Sequence, residues 1–277
     1  MGHMGAAAPQ PQPLPGVAHV VAVGSGKGGV GKTTVAVNLA VALGKLGYRV
    51  GLMDADIYGP NVPTMLGVSR QPNIVGENRI GPLLAHGVKF ISVGLIAPGD
   101  RPMVMRGPML HQIIRQFLQQ VEWGELDFLI VDLPPGTGDV VISLVQTVPL
   151  TGAVVVSTPS DVSLQDARKA IEMFGQVKVE VIGIVENMSH FTCPHCRQVI
   201  DIFSSGGAER TAQQFGLDFL GAVELDPEIR SGGDRGLPVT LAGPESSIAA
   251  PFFDIATKVA ARAKEIAGAS EPILEIS

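Results

Sequence analysis

One glycine-rich segment, residues 24–34, constrains the fold more than any other part of the chain. It stands between a short apolar run and a helical pattern, and it satisfies the spacing G-x-x-x-x-G-K-[ST] from Gly26 to Thr33. Glycines let backbone N–H groups approach phosphate oxygens, and the N-terminus of the following helix adds a favourable dipole. The motif therefore predicts a phosphate-binding loop, with Lys32 on the β- and γ-phosphates and the Thr33 hydroxyl on Mg²⁺. The alternative, a glycine-rich turn that binds nothing, does not account for the strand and helix patterns on either side.

Short apolar runs and helical patterns continue to alternate along the chain. The runs are rich in Val and Ile and lack a period of two, as expected of strands covered on both faces. This repetition predicts an α/β fold, a single domain built on a doubly wound, mostly parallel sheet whose ligands bind beyond the carboxyl ends of the strands. Strands are expected at residues 20–23, 50–53, 90–93, 128–131, 154–157 and 181–185, and helices at residues 33–46, 109–121, 140–147, 164–176, 208–215 and 248–266.

Composition excludes several classes of protein. The 277 residues are 45% hydrophobic and 17% charged, which suffices for a substantial core and rules out a disordered chain. A net charge of −6 argues against a nucleic-acid binder that works by bulk charge. No uncharged apolar run approaches the roughly 18 residues of a membrane span. The two cysteines, Cys193 and Cys196, are too few for a secreted disulfide scaffold and fit a reducing compartment, with the cytoplasm favoured over a mitochondrial matrix.

The two ends of the chain are expected to lie outside the domain. Residues 1–4 resemble a cloning scar, and four prolines within residues 6–16 indicate an extended linker, which can mark where an N-terminal domain was removed. We therefore expect a scar and linker over residues 1–18, the domain over residues 19–268 and a frayed tail over residues 269–277.

Acidic residues follow two of the expected strands. Asp54 and Asp56 come after the run at 50–53, and Asp132 follows the run at 128–131. Because the carboxyl ends of parallel strands meet at one edge of a sheet, these side chains should lie beside the phosphate loop. Asp132 directly follows a buried strand and is the candidate to hold Mg²⁺ through its water shell, because a buried acid needs a partner. Asp54 alternatively caps a turn.

A second lysine within the loop, Lys27, distinguishes it from the plain motif. With K-G-G-x-G-K-[ST] the chain resembles the deviant Walker A class of P-loop ATPases, which includes the nitrogenase iron protein, MinD, ParA and the Mrp/ApbC iron–sulfur carriers. The resemblance implies that Lys27 reaches the phosphates of a partner subunit, whereas Lys32 acts within its own subunit; the alternative is an exposed loop lysine. It also implies that the nucleotide is contacted by Gly26, Lys27, Gly28, Gly29, Val30, Gly31, Lys32, Thr33 and Thr34.

Further roles follow from the same resemblance. It implies that Asp56 orients the attacking water, that Asp54 supports the site or magnesium, and that Gly136 lets a second switch segment approach the γ-phosphate. Asn187 has the donor and acceptors that read adenine, and the class has an Asn at this point. Without the resemblance, Asn187 would be only a turn residue at the end of a strand. The segment 223–229 is similar to the family segment over the other face of adenine, which implies contacts from Asp226, Pro227 and Glu228.

Over residues 19–267 the chain resembles one branch of this class, the Mrp/ApbC iron–sulfur carriers. Motifs of that branch that ParA and MinD lack are found at residues 56–60, 134–139 and 193–196. Met105 stands where the branch usually has Trp, and the sequence has no N-terminal four-cysteine motif of the kind in eukaryotic cytosolic carriers. The resemblance is also carried by residues 26–34, 54–63, 106–108, 157–159 and 187–189.

The motif Cys193-Pro194-His195-Cys196 has three interpretations. A redox pair of the thioredoxin type should open a helix near the start of a small domain, whereas this motif follows a late strand. Two thiolates from each of two chains would make a tetrahedral zinc site, and the same four thiolates would hold a [4Fe–4S] cluster. The resemblance implies the cluster, bridging a homodimer whose identical loops lie face to face.

The resemblance implies a homodimeric carrier that binds Mg²⁺·ATP, hydrolyses it slowly as a switch and delivers a labile [4Fe–4S] cluster to apo-proteins. The alternative is a positioning ATPase scaffold similar to ParA and MinD. Such a scaffold needs a membrane-binding amphipathic helix or a basic DNA surface, and the helical pattern at 248–266 is typical of a packing helix. A metabolic kinase would need a substrate domain, and the sequence shows none.

Overall fold

The computed structural model of the protein describes residues 11–76, 79–96, 107–136 and 138–270. The expected scar, the first part of the expected linker, Met105, Arg106, Thr137 and residues 271–277 of the expected tail lie outside the described residues.

Most strands of the described residues belong to one large sheet, while the others form two small hairpins. In chain order the strands are β1 (Val17–Gly24), β2 (Val50–Asp54), β3 (Ile74–Val75), β4 (Arg79–Ile80), β5 (Leu83–Ala85), β6 (Val88–Ser92), β7 (Leu126–Asp132), β8 (Gly152–Ser157), β9 (Val181–Asn187), β10 (Phe191–Thr192), β11 (Val199–Ile200) and β12 (Phe219–Val223). The two small hairpins are β3–β4 and β10–β11. Within the described ranges the sheet has eight strands in the order β12-β9-β8-β1-β7-β2-β6-β5. Neighbouring strands are parallel except for the β5–β6 hairpin.

Every residue of β2, β8 and β9 is buried. Helices cover both faces of these strands, so each side chain packs into apolar surroundings whichever way it points. This explains why the apolar runs in the sequence lack a period of two.

Helices connect the parallel strands and form two layers. They are α1 (Lys32–Lys45), α2 (Val62–Met65), α3 (Val93–Ile96), α4 (Gly107–Gln120), α5 (Gly138–Thr147), α6 (Asp161–Gln176), α7 (Gly207–Phe215), α8 (Pro227–Asp234), α9 (Ala250–Ser270) and a 3-10 turn at Val239–Ala242. One apolar core joins α1 and α9 to one face of the sheet, and a second core joins α4, α5, α6 and α7 to the other face. The predicted doubly wound α/β fold is confirmed. No helix of the described residues combines the length and the apolar character that crossing a membrane requires.

The structure differs from the sequence-based expectation at several boundaries. The strand expected at 90–93 is β6 (Val88–Ser92), and Val93 begins α3. Two strands of the large sheet, β5 and β12, were not expected. The expected linker lies partly on the domain, because Leu14 is 7% exposed and the Gln12 N–H donates to the Thr147 carbonyl at 3.1 Å. The last helix continues to Ser270, past the expected domain end.

Candidate functional site

The glycine-rich loop between β1 and α1 is shaped by two close contacts. Gly31, the residue before α1, has a φ of +79°, and a Cβ there would lie 2.1 Å from Asn187 Nδ2. A Cβ at Gly26 would lie 2.0 Å from the carbonyl oxygen of Asp166 in α6. Glycine is therefore required at Gly31 by the left-handed backbone and the asparagine, and at Gly26 by the approach of α6.

One buried carboxylate ties the end of the loop to the sheet. Lys32 Nζ lies 2.6 Å from Asp132 Oδ1, and the Thr33 hydroxyl donates to Asp132 Oδ2 at 2.7 Å. Lys32 is 5% exposed and Asp132 is fully buried. Asp56 Oδ2 lies 3.5 Å from the same ammonium. The side chains predicted for phosphate, Mg²⁺ and water orientation thus form one connected group.

Asp54 lies beside Asp132, because β2 and β7 are neighbours and the two acids are in register. The Asp54 carboxylate is fully buried and accepts hydrogen bonds from the Ser92 hydroxyl at 2.8 Å and the Asp56 N–H at 3.1 Å. Burial, and next the charge of Asp132, raise the pKa of Asp54 to about 8. Burial also raises the pKa of Asp132, against the opposing effect of Lys32. A further cation near this pair would favour the ionised form of both acids.

The segment after β7 turns back onto the glycine-rich loop. Gly136 has a φ of +64°, and its N–H donates to the Ser25 carbonyl at 3.1 Å. A Cβ at Gly136 would lie 3.2 Å from the carbonyl oxygen of Gly26. The predicted second switch residue therefore touches the backbone of the loop.

A cleft of about 590 Å³ opens over the loop, within the range of roughly 300–1,000 Å³ that small-molecule sites occupy. The loop forms its floor, and the start of α8 and the segment after β2 form walls. Of the residues predicted to act on the nucleotide, the cleft is lined by Lys27, Gly28, Gly29, Val30, Gly31, Lys32, Thr33, Thr34, Asp56, Asn187 and Asp226. The predicted residues that lie outside its lining are Gly26, Asp54, Asp132, Gly136, Pro227 and Glu228.

Two residues predicted for the adenine end also make structural contacts. Asn187 is 4% exposed, and its Nδ2 donates to the Val30 carbonyl in the glycine-rich loop at 2.8 Å. Asp226 caps α8, since its carboxylate accepts the Glu228 N–H at 2.7 Å, and Pro227 is the first residue of that helix. The sequence pattern did not reveal that Asn187 holds the phosphate loop.

Sequence reasoning did not single out several residues of the cleft. Tyr58 lies in a segment that carried the family resemblance, and Met188 directly follows Asn187, so these two could have been inferred by position. Ile229 ends the segment 223–229 that resembles the family segment over adenine. Met65 reaches the cleft because α2 lies against α8, a tertiary contact that no local pattern predicts. The cleft residues that were missed include Tyr58, Met65, Met188, Ile229 and Arg230.

The two cysteines lie in the turn of the small β10–β11 hairpin. Cys193 is half-buried and Cys196 is exposed. Backbone N–H groups of Cys196 and His195 donate to the Cys193 sulfur and lower its pKa. Hydrogen bonds of this kind favour the thiolate, which is the form that binds metal. The hairpin closes through the Cys193 N–H, which donates to the Gln198 carbonyl at 2.9 Å.

One hairpin supplies two thiols, fewer than a closed tetrahedral site needs. No group of three or more His, Cys, Asp or Glu residues that could hold a metal ion occurs in the described part of the chain. Apolar side chains beside the hairpin are unusually exposed, which is typical of an interaction surface. They are Val199, Ile200, Ile202 and Phe203, between 41% and 58% exposed.

Residues 16–260 match the family model described as ParA, NUBPL iron-transfer P-loop NTPase. The chain belongs to this family. The iron-sulfur cluster carrier protein of Deinococcus radiodurans is 54% identical over 94% of the chain and 73% of that relative. The mouse iron-sulfur cluster transfer protein NUBPL is 46% identical over 92% of the chain and 81% of that relative.

A solved structure of the same kind carries a nucleotide. It is a nucleotide-binding protein from Archaeoglobus fulgidus in complex with ADP, with 37% sequence identity and a TM-score of 0.71. The match covers 80% of the chain and 88% of the archaeal chain. The family match over residues 16–260 therefore includes the strands of the large sheet and the residues that line the cleft.

The contact between Gly31 and Asn187 leads to a stability prediction. Gly31→Ala should lower the free energy of unfolding by about 2–4 kcal/mol, because it adds backbone strain of about 1–2 kcal/mol and displaces the buried Asn187 amide from its partner. Gly29→Ala is the matched control, since Gly29 has a φ of +81° but no atom within 4 Å of a Cβ. Gly29→Ala should lower the free energy of unfolding only by the backbone strain of about 1–2 kcal/mol. Chemical denaturation of both variants measures the difference, and equal losses would contradict the role of Asn187.

The pKa of Asp54 leads to a prediction about pH. Because its pKa is raised from 3.8 to about 8, the folded protein holds a proton that the unfolded chain releases. This stabilisation is complete below about pH 4 and is lost as the pH rises through about 8, at most ~1.4 kcal/mol per pH unit. Asp54→Asn should reduce the fall in unfolding free energy between about pH 5 and 8, measured by urea denaturation. The exposed control Asp201→Asn should keep the wild-type slope, and an Asp54→Asn protein that also kept it would rule out the raised pKa.

Proposed function

We propose that the chain is an ATP-dependent iron–sulfur cluster carrier. It binds Mg²⁺·ATP in the cleft, holds a [4Fe–4S] cluster between two copies of itself and transfers the cluster to apo-proteins. The observation that carries this proposal is the presence, in one chain, of a phosphate loop with two lysines and a hairpin with two cysteines three residues apart. The Deinococcus and mouse relatives, an iron-sulfur cluster carrier protein and an iron-sulfur cluster transfer protein, support the same function.

The chemistry of the donors around Asp132 fits Mg²⁺·ATP. Hydroxyl and carboxylate oxygens are the ligands that Mg²⁺ prefers, and Thr33 and Asp132 offer them 2.7 Å apart. Mg²⁺ supplies charge neutralisation of the β- and γ-phosphates. Lys32 then exchanges its carboxylate partner for phosphate oxygens, and Asp56, released from Lys32, accepts a hydrogen bond from the attacking water. Hydrolysis is proposed to be slow and to serve as a switch, and ATP and ADP are the two bound states.

The role proposed for Lys27 requires a second copy of the chain. Lys27 lines the cleft, and its ammonium has no hydrogen bond or ion pair with any described residue. By contrast, Lys32 is engaged with Asp132 and Asp56. A free cation at the rim of an anion site is suited to the phosphates of a partner subunit, as the deviant Walker A resemblance implies.

Two features support a cluster at a homodimer interface. An isologous dimer brings two identical hairpins together and supplies the four thiolates that a [4Fe–4S] cluster needs. The exposed apolar residues within 199–203 provide apolar surface that such an interface would bury. The cysteines occupy a hairpin turn and not the first turn of a helix, which disfavours a thioredoxin-type redox pair. Zinc, with the same preference for four thiolates, is the possible substitute.

The surroundings of the last helix disfavour a positioning scaffold. The Lys258 ammonium donates to the Leu220 carbonyl at 2.8 Å, and Arg262 lies against Glu180 and Glu265. These basic side chains of α9 therefore have partners within the protein, which leaves them less available to a membrane or DNA surface. We propose apo iron–sulfur proteins as the partners and a reducing compartment, the cytoplasm, as the location.

The two lysines should respond differently to substitution. Lys32→Ala should abolish Mg²⁺·ATP binding, whereas Lys27→Ala should keep most of the binding and lower turnover by about 10³-fold, the lower range for a cation supplied in trans. Equilibrium binding of labelled ATP and phosphate release measure the two properties. The exposed control Lys45→Ala should keep both, and normal turnover in Lys27→Ala would contradict the sandwich dimer.

Binding of the iron–sulfur cluster should require both cysteines. Anaerobically reconstituted protein should carry about four irons per dimer, and Cys193→Ser should lose them because two thiolates cannot hold the cluster. The Gln198→Ala variant, which changes only a side chain on the same hairpin, should keep its iron. Iron analysis with sedimentation measures the stoichiometry. Four irons on a monomer, or zinc with no uptake of iron, would contradict a bridging cluster.

A further inference from the structure

Two chain segments join the cleft to the cysteine hairpin, and together we call them the strap. They are residues 187–192, from the end of β9, and residues 223–226, from the end of β12. The strap is a short two-stranded ribbon and not a pair of independent loops. Its backbone hydrogen bonds beyond the sheet are Ser189 N–H to the Val223 carbonyl at 2.9 Å and Leu225 N–H to the His190 carbonyl at 2.7 Å.

The strap has one end at each proposed site. Asn187 and Met188 line the cleft, and Asn187 holds the glycine-rich loop through the Val30 carbonyl. At the other end, Thr192 directly precedes Cys193. Five residues therefore separate the phosphate loop contact from the first thiol, and two of them, Ser189 and His190, are hydrogen-bonded to the other segment of the strap.

Glu224 connects the two strands of the strap through its side chain. It lines the cleft, and its Oε2 accepts the Thr192 hydroxyl at 3.2 Å and lies 3.8 Å from His190 Nε2. Its Oε1 has no hydrogen bond with any residue that the structure describes, and the side chain is 25% exposed. One oxygen thus serves the hairpin while the other remains available to an occupant of the cleft.

The return of the chain from the hairpin is fixed separately. Glu186, 2% exposed, accepts the N–H groups of Gly206 at 3.2 Å and Ala208 at 2.8 Å and so holds the start of α7. Glu186 and Asn187 are consecutive on β9 and therefore point to opposite faces of the sheet. Both ends of the hairpin segment are anchored at β9, and the Thr192–Glu224 hydrogen bond joins the hairpin to the cleft wall through side chains.

We propose that Glu224 is a positioning residue that couples nucleotide binding in the cleft to metal binding at Cys193. A donor on the base or sugar of the nucleotide binds Oε1 and orders the carboxylate, and Oε2 then holds Thr192 and the following thiol in place. The second ligand meets a group that the first has already ordered, so each ligand increases the affinity of the other by the same factor. This inference rests on the proposed function, because it needs both sites.

Co²⁺ is the probe, because its visible absorption reports tetrahedral thiolate coordination. The Co²⁺ dissociation constant of the full chain is measured anaerobically, with reduced thiols, in the absence and presence of Mg²⁺ and a non-hydrolysable ATP analogue. In the wild type the analogue should lower this constant by about fivefold or more, the usual lower range of coupling between sites.

Thr192→Val keeps the shape of the side chain and removes the hydroxyl. It should bind Co²⁺ and the analogue separately, with a coupling ratio within about twofold of 1. Thr192→Ser restores the donor and should restore the ratio, a rescue that a purely structural role for the methyl group would not give. Glu224→Gln, which weakens the acceptor, should also lower the ratio. Glu209→Gln, an exposed charge change in the first turn of α7, is the matched control and should keep the wild-type ratio.

Each outcome decides the inference. A wild-type ratio near 1, an analogue that weakens Co²⁺ binding, or a wild-type ratio in Thr192→Val would overturn the role of Glu224 while leaving both sites intact. A wild-type protein that binds no Co²⁺, or no analogue, would instead overturn the proposed function. The two failures are therefore distinguishable.

Discussion

The nucleotide site depends on two carboxylates that the sheet brings together. Asp54 and Asp132 stand in register on neighbouring parallel strands, about 4.8 Å apart in such sheets, and both are fully buried. The buried Asp132 carboxylate is compensated by Lys32 and the Thr33 hydroxyl. Asp54, whose pKa is raised to about 8, accepts a hydrogen bond from the Ser92 hydroxyl. The contacts of Lys32 and Thr33 with Asp132 therefore hold the end of the phosphate loop against the sheet. Lys32, which we propose binds phosphate, is held at the end of this loop by Asp132.

Backbone contacts, more than side chains, fix the rest of the loop. Gly26 lies against α6, Gly136 donates to the loop, and the Val30 carbonyl accepts the Asn187 amide. These contacts come from elements far apart in the chain, and they need the missing Cβ at Gly26 and Gly31. A loop held on several sides keeps its N–H groups oriented, so binding an anion requires little reordering.

Patterns within short stretches of sequence predicted the central strands and the residues at their ends. The phosphate loop, the six central strands and the placement of Asp54 and Asp132 at one sheet edge all follow from apolar runs with glycine or acid at their ends. The edge strands β5 and β12 were missed, because β5 is short and β12 is mixed in burial, so neither forms a long apolar run. The packing of α2 on α8, the contact from Asn187 to the loop and the anchoring of Leu14 were likewise missed, since each depends on residues distant in sequence.

The positions of Lys27 and the cysteine hairpin bear on the geometry of the proposed dimer. The phosphate loop follows the carboxyl end of β1, and the hairpin follows the carboxyl end of β9, and both strands are parallel members of one sheet. Both features therefore lie toward the same edge of the sheet. An isologous dimer has one interface around a single two-fold axis. Lys27 and the cysteine hairpin, which both need a partner copy, can therefore use the same interface only if they lie on one side of the molecule. The fold meets this condition, and one dimer can supply both the lysine in trans and the second pair of thiolates.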